Sequence, residues 1–196
     1  MRQKFEVFLS NGRAVDLMRP DPEAFDVETI VFHLSKEQRF GNSLPTHYSV
    51  LNHSAQVAKL CTSNRLRALA LLHDAAEIVT RDIPDPVKRW IDAFGRAAVT
   101  TLERNILSAV FDRFGLNPVS SSEWGEIMEA DRLVFAFERR YFSLPMAAVF
   151  VDFNSPSIQE KYRTFEEGMA IFSKPLFEAD REFFAFVLDE CLRQSD

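Results

Sequence analysis

The chain has 196 residues, of which 46% are hydrophobic and 27% are charged, values typical of a globular domain with an ordinary core. Its net charge of −6 argues against a general nucleic-acid-binding protein, because such proteins carry a basic face. A small anionic substrate is still compatible with this charge, since a bound metal and a few placed cations dominate the field of a site.

The predicted elements begin with a β-hairpin and continue as helices. Phe5, Val7 and Leu9 alternate with polar residues, and an Asn11-Gly12 turn precedes a second apolar-polar alternation. Apolar spacing then predicts helices over residues 27–37, 49–61, 64–80, 86–94, 96–114, 122–142, 157–172 and 179–194, with breaks at 82–85, 115–121 and 145–156. We therefore expect a mostly α single domain, with a hairpin extension over 1–20, a helical core over 27–142 and C-terminal helices over 157–194.

The ends of the chain and its two cysteines predict a cytoplasmic protein. Met1-Arg2-Gln3-Lys4 is followed by an interrupted alternation instead of an apolar segment, so we expect no signal peptide. No apolar run approaches the length needed to cross a bilayer. Cys61 and Cys191 each stand in an apolar helical context, and we expect two reduced, buried thiols instead of a disulfide.

The most informative motif is His73-Asp74, with Glu77 following in the same predicted helix. These side chains share one face of a helix that leucines bury nearly all round. Burying an imidazole and two carboxylates without a partner is costly, and a cation would satisfy them directly. The alternative is a structural network in which the histidine is hydrogen-bonded to one of the carboxylates.

Two further residues extend this motif to a candidate metal site. His53 lies upstream in another apolar helix, and Asp131 precedes the apolar turn Leu133-Val134-Phe135. Together with His73 and Asp74 they supply two imidazoles and two carboxylates. That set favours one borderline divalent transition metal, such as Mn²⁺, Co²⁺, Fe²⁺ or Zn²⁺, over Ca²⁺.

The residues around these ligands resemble the HD-domain metal-dependent phosphohydrolases. The closest match is the branch of bacterial 5′-deoxynucleotidases and their phage and prophage relatives, which include a phage triphosphohydrolase acting on dATP. The stretch from Asn52 to Ala58 is similar to that branch's E-H-S-x-Q-V-A, with asparagine in place of glutamate. Residues 73–88 resemble its H-D-A-S-E followed by G-D-L-P-x-P-V-K, and residues 129–133 resemble Q-A-D-A-L. The matched segments extend from about Val31 to Glu138.

The resemblance implies an HD-domain helical bundle and a role for each matched residue. Glu77 would orient or deprotonate the attacking water, Asp82 would bind the sugar or assist the leaving group, and Arg39 would clamp the phosphate. Lys88 would neutralise a further phosphate oxygen. Phe40 stands where relatives have a tryptophan that disfavours a 2′-hydroxyl. Simpler roles stay open for three of them: Glu77 as a hydrogen-bond partner of His73, Arg39 in a surface salt bridge, and Lys88 in solvent.

The implied function is hydrolysis of a phosphate ester in a 2′-deoxynucleotide, either a monophosphate or a triphosphate released whole. The resemblance also implies a homo-oligomer, a dimer or a hexamer, to which the Phe-rich last helix could contribute an interface. Three alternatives share the scaffold: a non-catalytic nucleotide sensor, a hydrolase of guanosine tetraphosphate or cyclic dinucleotides, and a di-iron oxygenase. The oxygenase needs further histidine ligands, which only His33 and His47 could supply.

Overall fold

The predicted mostly α fold with an N-terminal hairpin is confirmed. The structure is a computed structural model that describes residues 5–145, 151–172 and 177–193. Three parts of the sequence predictions lie outside the described residues: the N-terminal segment Met1-Arg2-Gln3-Lys4, residues 146–150 of the predicted break, and the last predicted helical residue, Gln194.

The hairpin pairs strand β1 (Glu6–Phe8) with strand β2 (Ala14–Asp16) in antiparallel register, with Val7 opposite Val15. Its loop is longer than the predicted Asn11-Gly12 turn, because Leu9 N–H donates to Arg13 O at 2.9 Å and Ser10 joins the loop. Gly12 has φ of 79°, a conformation that glycine adopts without strain.

The helices follow in chain order, and their bounds are α1 (Val27–Leu34), α2 (Val50–Lys59), α3 (Asn64–Leu72), α4 (Glu77–Thr80), α5 (Asp85–Gly95), α6 (Ala98–Arg113), α7 (Ser121–Tyr141), α8 (Pro156–Phe172) and α9 (Phe177–Arg193). Short 3₁₀ turns occur at Pro22–Ala24 and Arg39–Asn42. Several helices begin where the sequence offers a capping side chain: Asp26, Ser49, Ser63 and Ser120 each accept a backbone N–H of the first turn.

The first and third predicted helices end earlier than expected. The first ends at Leu34 instead of residue 37, because Ser35 Oγ donates back to Phe32 O at 3.0 Å and the next N–H groups turn onto His33 O. The predicted helix 64–80 is wrong as one element: α3 ends at Leu72, a turn follows over residues 73–76, and α4 begins at Glu77. The candidate ligand pair His73-Asp74 lies in this turn.

The centre of the core is α2, whose residues 50–58 are all buried. It packs against α3, α7, α8 and α9. Phe184 and Leu188 of α9 are buried against this core, so the described inward face of the last helix is used within the chain. Cys61 and Cys191 are reduced and buried, as predicted. None of the helices within the described ranges is both long and apolar enough to cross a membrane.

Candidate metal centre

The turn between α3 and α4 places His73 at the end of a buried helix. His73 Nδ1 donates to Ala70 O at 2.7 Å, the carbonyl that Asp74 N–H would use if α3 continued. Beyond it, Ala75 N–H donates to Leu72 O and Glu77 N–H to Asp74 O, both at 2.9 Å and both three residues back. These tighter bonds end the α-helix. His73, Asp74 and Glu77 therefore converge through a turn and not through the face of one helix, as the sequence had suggested.

The hydrogen bond of His73 also decides which ring nitrogen can bind a metal. A carbonyl oxygen only accepts, so Nδ1 carries the proton and Nε2 of the neutral ring has a lone pair. Nε2 is buried and has no hydrogen-bond partner among the described residues. Glu77 is not bonded to this histidine, which removes the simple role that the sequence left open for it.

His53 is held from behind by a buried carboxylate. On α2 the His53 side chain is fully buried, and its Nδ1 lies 2.6 Å from Glu138 Oε1 of α7. Glu138 Oε1 also accepts from Tyr48 Oη at 2.8 Å. Burial and Arg39 lower the pKa of His53, but Glu138 and the nearby Asp131 outweigh them and raise this pKa to about 9. A carboxylate behind an imidazole fixes the ring and increases its strength as a ligand.

The second nitrogens of both rings face the same pair of carboxylates. His53 Nε2 lies 3.0 Å from Asp131 Oδ1 and 3.6 Å from Asp74 Oδ2. His73 Nε2 lies 3.3 Å from Asp74 Oδ2 and 3.9 Å from Asp131 Oδ1. Ligands about 2.1 Å from one metal stand about 3.0–3.4 Å apart in octahedral or tetrahedral geometry. The four imidazole–carboxylate distances lie in or slightly above that range.

The most compact part of this arrangement is the group of His53, His73 and Asp131. Their ligand atoms all lie within 4.8 Å of one another, and this cluster could hold a metal ion. Burial raises the pKa of Asp131, but His53, His73 and Arg39 outweigh it and lower the pKa, so the carboxylate is ionised, as a ligand must be. The structure thus brings together, next to Asp74, residues that the sequence separates by as many as 78 positions, from His53 to Asp131.

Arg39 lies beside the cluster and not on the surface. Its guanidinium is 3.4 Å from Glu138, 3.8 Å from Asp74 and 3.9 Å from Asp82. Burial opposes the charge, but these carboxylates outweigh it and raise the pKa of Arg39 above its usual value. The simple alternative of a surface salt bridge is therefore wrong. All the described ion-pair partners of Arg39, the expected phosphate clamp, are carboxylates.

Glu77 is a half-buried carboxyl group at the site. Burial and the neighbouring Asp74 and Asp82 raise the pKa of Glu77 well above its usual range, although Arg39 acts in the opposite direction. Its Oε2 is buried without a hydrogen-bond partner in the described part of the chain. Burial likewise raises the pKa of Asp82, against the effect of Arg39. Carboxyl groups with raised pKa values are frequent at functional sites.

A cleft of about 1000 Å³ opens onto the cluster. Its polar end includes His73, Asp74, Glu77 and Asp131, and its wall includes Lys88, which is ion-paired with Glu103 of α6. Lys88 is thus a paired residue of the cleft and not a solvated one.

Three of the predicted substrate-binding residues do not line this cleft: Arg39, Phe40 and Asp82. Phe40 has φ of 57° and stacks on Phe135, with ring centroids 5.9 Å apart.

Sequence reasoning missed Glu138 and Tyr48, which hold His53 from behind. Glu138 is followed by Arg139 and Arg140, a context typical of a solvated helix face. Its spacing of seven residues from Asp131 was a usable signal, because positions i and i+7 of a helix share a face. Tyr48 stands outside any predicted helix and offered no comparable signal.

Comparisons with known proteins leave the family of this chain open. No family model matches it. It is 32% identical over 118 residues to the uncharacterized protein YfdR of Escherichia coli, covering 60% of this chain and 61% of that protein. It is 35% identical over 127 residues to an uncharacterized protein of Rhodobacter capsulatus, covering 61% of this chain and 62% of that protein. The chain therefore spans about three fifths of the length of the curated relatives that it matches.

Proposed function

We propose that the protein is a metal-dependent phosphohydrolase of the HD-domain superfamily that acts on 2′-deoxynucleotides. One observation carries the proposal. The buried Nε2 atoms of His53 and His73 face the same two carboxylates at 3.0–3.9 Å, and His73 Nε2 has no hydrogen-bond partner among the described residues. A purely structural network would pair His73 Nε2 with an aligned acceptor, as His53 Nε2 pairs with Asp131.

The proposed metal ligands are His53, His73, Asp74 and Asp131. Two imidazoles and two carboxylates suit Mn²⁺, Co²⁺, Zn²⁺ or Fe²⁺. Glu138 and Ala70 support this assignment, since each fixes the ring of one histidine through Nδ1 and directs Nε2 towards the carboxylates. When bound, the metal supplies Lewis acidity and lowers the pKa of a coordinated water.

Glu77 is the proposed general base. Its place in the cleft next to Asp74, and its buried Oε2 without a hydrogen-bond partner among the described residues, suit a carboxyl group that accepts a proton from water. Lys88 is the cation of the cleft wall and would contact a phosphate oxygen while exchanging its present partner, Glu103.

Arg39, Phe40 and Asp82 are proposed as substrate-binding residues from the resemblance alone. For Arg39 to contact phosphate, the guanidinium must share or release Asp74 or Asp82. We propose that its first role is to hold these carboxylates in place and to offset their charge. Phe40 presents an apolar ring beside this group, with its ring centroid 5.7 Å from the Arg39 guanidinium, consistent with a contact to the sugar.

The mononuclear hydrolase is favoured over a di-iron oxygenase by the positions of the remaining histidines. Within the described residues, the candidate metal cluster includes neither His33 nor His47. His33 Nε2 instead accepts from Ser10 N–H at 3.2 Å, and His47 Nδ1 lies 2.5 Å from the Gln38 amide. A non-catalytic nucleotide sensor could use the same metal cluster, but it would not need a carboxyl group such as Glu77 to accept a proton from water.

The test is a screen of deoxy and ribo mono- and triphosphates with Mn²⁺ or Co²⁺, reading phosphate, pyrophosphate and triphosphate release. We expect hydrolysis of a deoxynucleotide, and we expect His73→Ala and Asp74→Ala to abolish it. His33→Ala is the matched control, because it removes an imidazole outside the cluster. Full activity in His73→Ala or Asp74→Ala would end the proposal.

We also propose a homo-oligomer, a dimer or a hexamer. Phe184 of α9 is committed to the core, but Phe186 of the same helix is 65% exposed and is the candidate contact. Light scattering on the purified chain tests this, with a monomer at micromolar concentration as the contrary result.

A further inference from the structure

The cleft continues well beyond the cluster along one face of α7. Asp131, Met128 and Trp124 all line it, and positions three and seven residues apart lie on the same side of a helix. Seven residues of α-helix span about 10 Å. Trp124 therefore lies about 10 Å along this face from the near end of the cleft, which holds the candidate metal ligands.

The far end has a different chemistry from the near end. Its wall is made by Trp124 and Met128 of α7 and by Phe111 of α6. The rings of Phe111 and Trp124 meet edge to face, with centroids 6.4 Å apart and planes at 68°. Phosphate hydrolysis needs none of these side chains. Phe111 is buried and Trp124 is half-buried, so the indole is the flat aromatic group that the cleft can reach. Such a group in the wall of a cleft is typical of a site for a flat apolar ligand.

We propose that this aromatic end binds the nucleobase of the substrate, with Trp124 as the main contact. The proposal rests on the proposed function in placing the phosphate at the metal cluster. The base is the one part of a deoxynucleotide that is flat and aromatic, and each of the four bases can stack on an indole ring. The cleft volume of about 1000 Å³ is at the upper limit of small-molecule pockets, so a whole nucleotide fits between the two ends.

The two tryptophans of the chain make a direct test possible. Trp90 of α5 is 67% exposed, packs beside Phe94 and is not among the residues that line the cleft. Trp90→Phe therefore leaves Trp124 as the fluorescent reporter, and Trp124→Phe leaves Trp90. The probe is deoxyadenosine, which is released by either proposed reaction and is not hydrolysed further, with deoxyribose as the base-free control.

We expect deoxyadenosine to quench the fluorescence of Trp90→Phe with saturation, to leave Trp124→Phe unchanged, and deoxyribose to affect neither. Quenching confined to Trp90, or no saturable change at Trp124 up to millimolar deoxyadenosine, would overturn the proposal. This test needs no catalysis. Quenching of Trp124 in a protein that hydrolyses none of the phosphate substrates would therefore contradict the proposed function while supporting the base-binding site.

Steady-state kinetics supply the second arm. Trp124→Leu should raise KM for a deoxynucleotide about 5- to 100-fold, as loss of one stacked base predicts. It should not change KM for the base-free substrate with the same phosphate chain, deoxyribose 5-phosphate or deoxyribose 5-triphosphate. A purely structural role for Trp124 would instead lower the rates for both substrates together. Thermal melting of Trp124→Leu and Trp124→Phe identifies any loss of fold, and Trp90→Leu is the control for removing an indole.

Discussion

Glu138 Oε1 lies 2.6 Å from His53 Nδ1, and both side chains are fully buried. The carboxylate is satisfied on several sides, since it also accepts from Tyr48 Oη and pairs with Arg39. Burial raises the pKa of Glu138, but His53 and Arg39 outweigh it and lower the pKa. The charge that orients the imidazole is therefore present at every pH at which the protein would work.

Replacing this carboxylate should weaken metal binding without removing a ligand. We expect Glu138→Gln to lower the affinity for Mn²⁺ or Co²⁺ by roughly 10- to 100-fold, as found when carboxylates behind metal-binding histidines are lost. Competition with a chelator of known affinity measures this. Glu129→Gln, an exposed change on the same helix, is the control, and equal affinity in both variants would contradict the assignment.

Glu77 should act on the reaction and not on the metal. We expect Glu77→Gln to lower kcat about 10²- to 10⁴-fold, the range for loss of a general base, while metal content stays at the wild-type value. Parallel kinetics and metal analysis separate the two effects. Loss of metal together with activity would make Glu77 a ligand, and unchanged kcat would remove it from the mechanism.

Much of the helical architecture was predictable because local chemistry decides it. Ser49, Ser63 and Ser120 stand immediately before apolar periodic runs, and each caps a helix in the structure. The break at residues 73–76 was not predictable from apolar spacing, which continues across it. It depends on a hydrogen bond from the His73 ring to the carbonyl of Ala70, three residues back. This side chain competes with the backbone N–H of the next turn for the carbonyl, and the spacing of apolar residues carries no information about that competition.

The group of His53, His73 and Asp131 was likewise predictable, and its surroundings were not. His53, His73, Asp74 and Asp131 stand out as residue types that are costly to bury alone. The residues around them carry no comparable signal in the sequence. Glu138 lies in a charged segment, and Trp124 lies in the first turn of a helix. The packing of α7 against α2 decides which of the many acidic or aromatic residues faces the cluster. These two helices lie about 70 positions apart in the chain, so their packing cannot be read from local sequence.

Two glycines test the packing that holds the site together. A Cβ on Gly168 of α8 would collide with the Gln56 amide and the Lys59 ammonium group of α2. Gln56 is buried, with Nε2 donating to Phe165 O at 3.1 Å. The end of Lys59 can move aside, but a shift of the buried Gln56 amide breaks its bond to Phe165 O. After the gain in helix propensity is subtracted, we expect Gly168→Ala to lower the free energy of unfolding by about 1 kcal/mol.

Gly125 of α7 provides the matched control, because a Cβ there meets nothing within 4 Å. Gly125→Ala should raise the free energy of unfolding by about 0.5–1 kcal/mol from helix propensity. Urea unfolding measures both variants. Equal effects of the two substitutions would show that α8 does not pack against α2 as described.

The start of α7 predicts a pH dependence of stability. The hydroxyl and N–H of Ser120, with Arg65, bind the Glu123 carboxylate and lower the pKa of Glu123 from 4.5 to about 2. Because the folded-state pKa is the lower one, this stabilisation is complete above about pH 4.5 and is lost as the pH falls towards 2.

Glu123→Gln should therefore destabilise the protein at pH 7 by less than about 1 kcal/mol, since the pair is partly solvated. The gap from wild type should narrow between pH 5 and pH 3. Thermal melting across that range measures it, with Glu126→Gln, an exposed change on α7, as the control. A gap that stays constant with pH would show that Glu123 is not bound in this way.

The most direct measurement of the central claim is the metal content of the chain. The purified protein is equilibrated with Mn²⁺, Co²⁺, Zn²⁺ or Fe²⁺, freed of excess by gel filtration and analysed by inductively coupled plasma mass spectrometry. We predict one divalent ion per chain, lost in Asp131→Asn and kept in Asp152→Asn, an exposed change outside the cluster. No retained metal in the wild type, or the same content in Asp131→Asn, would contradict the account.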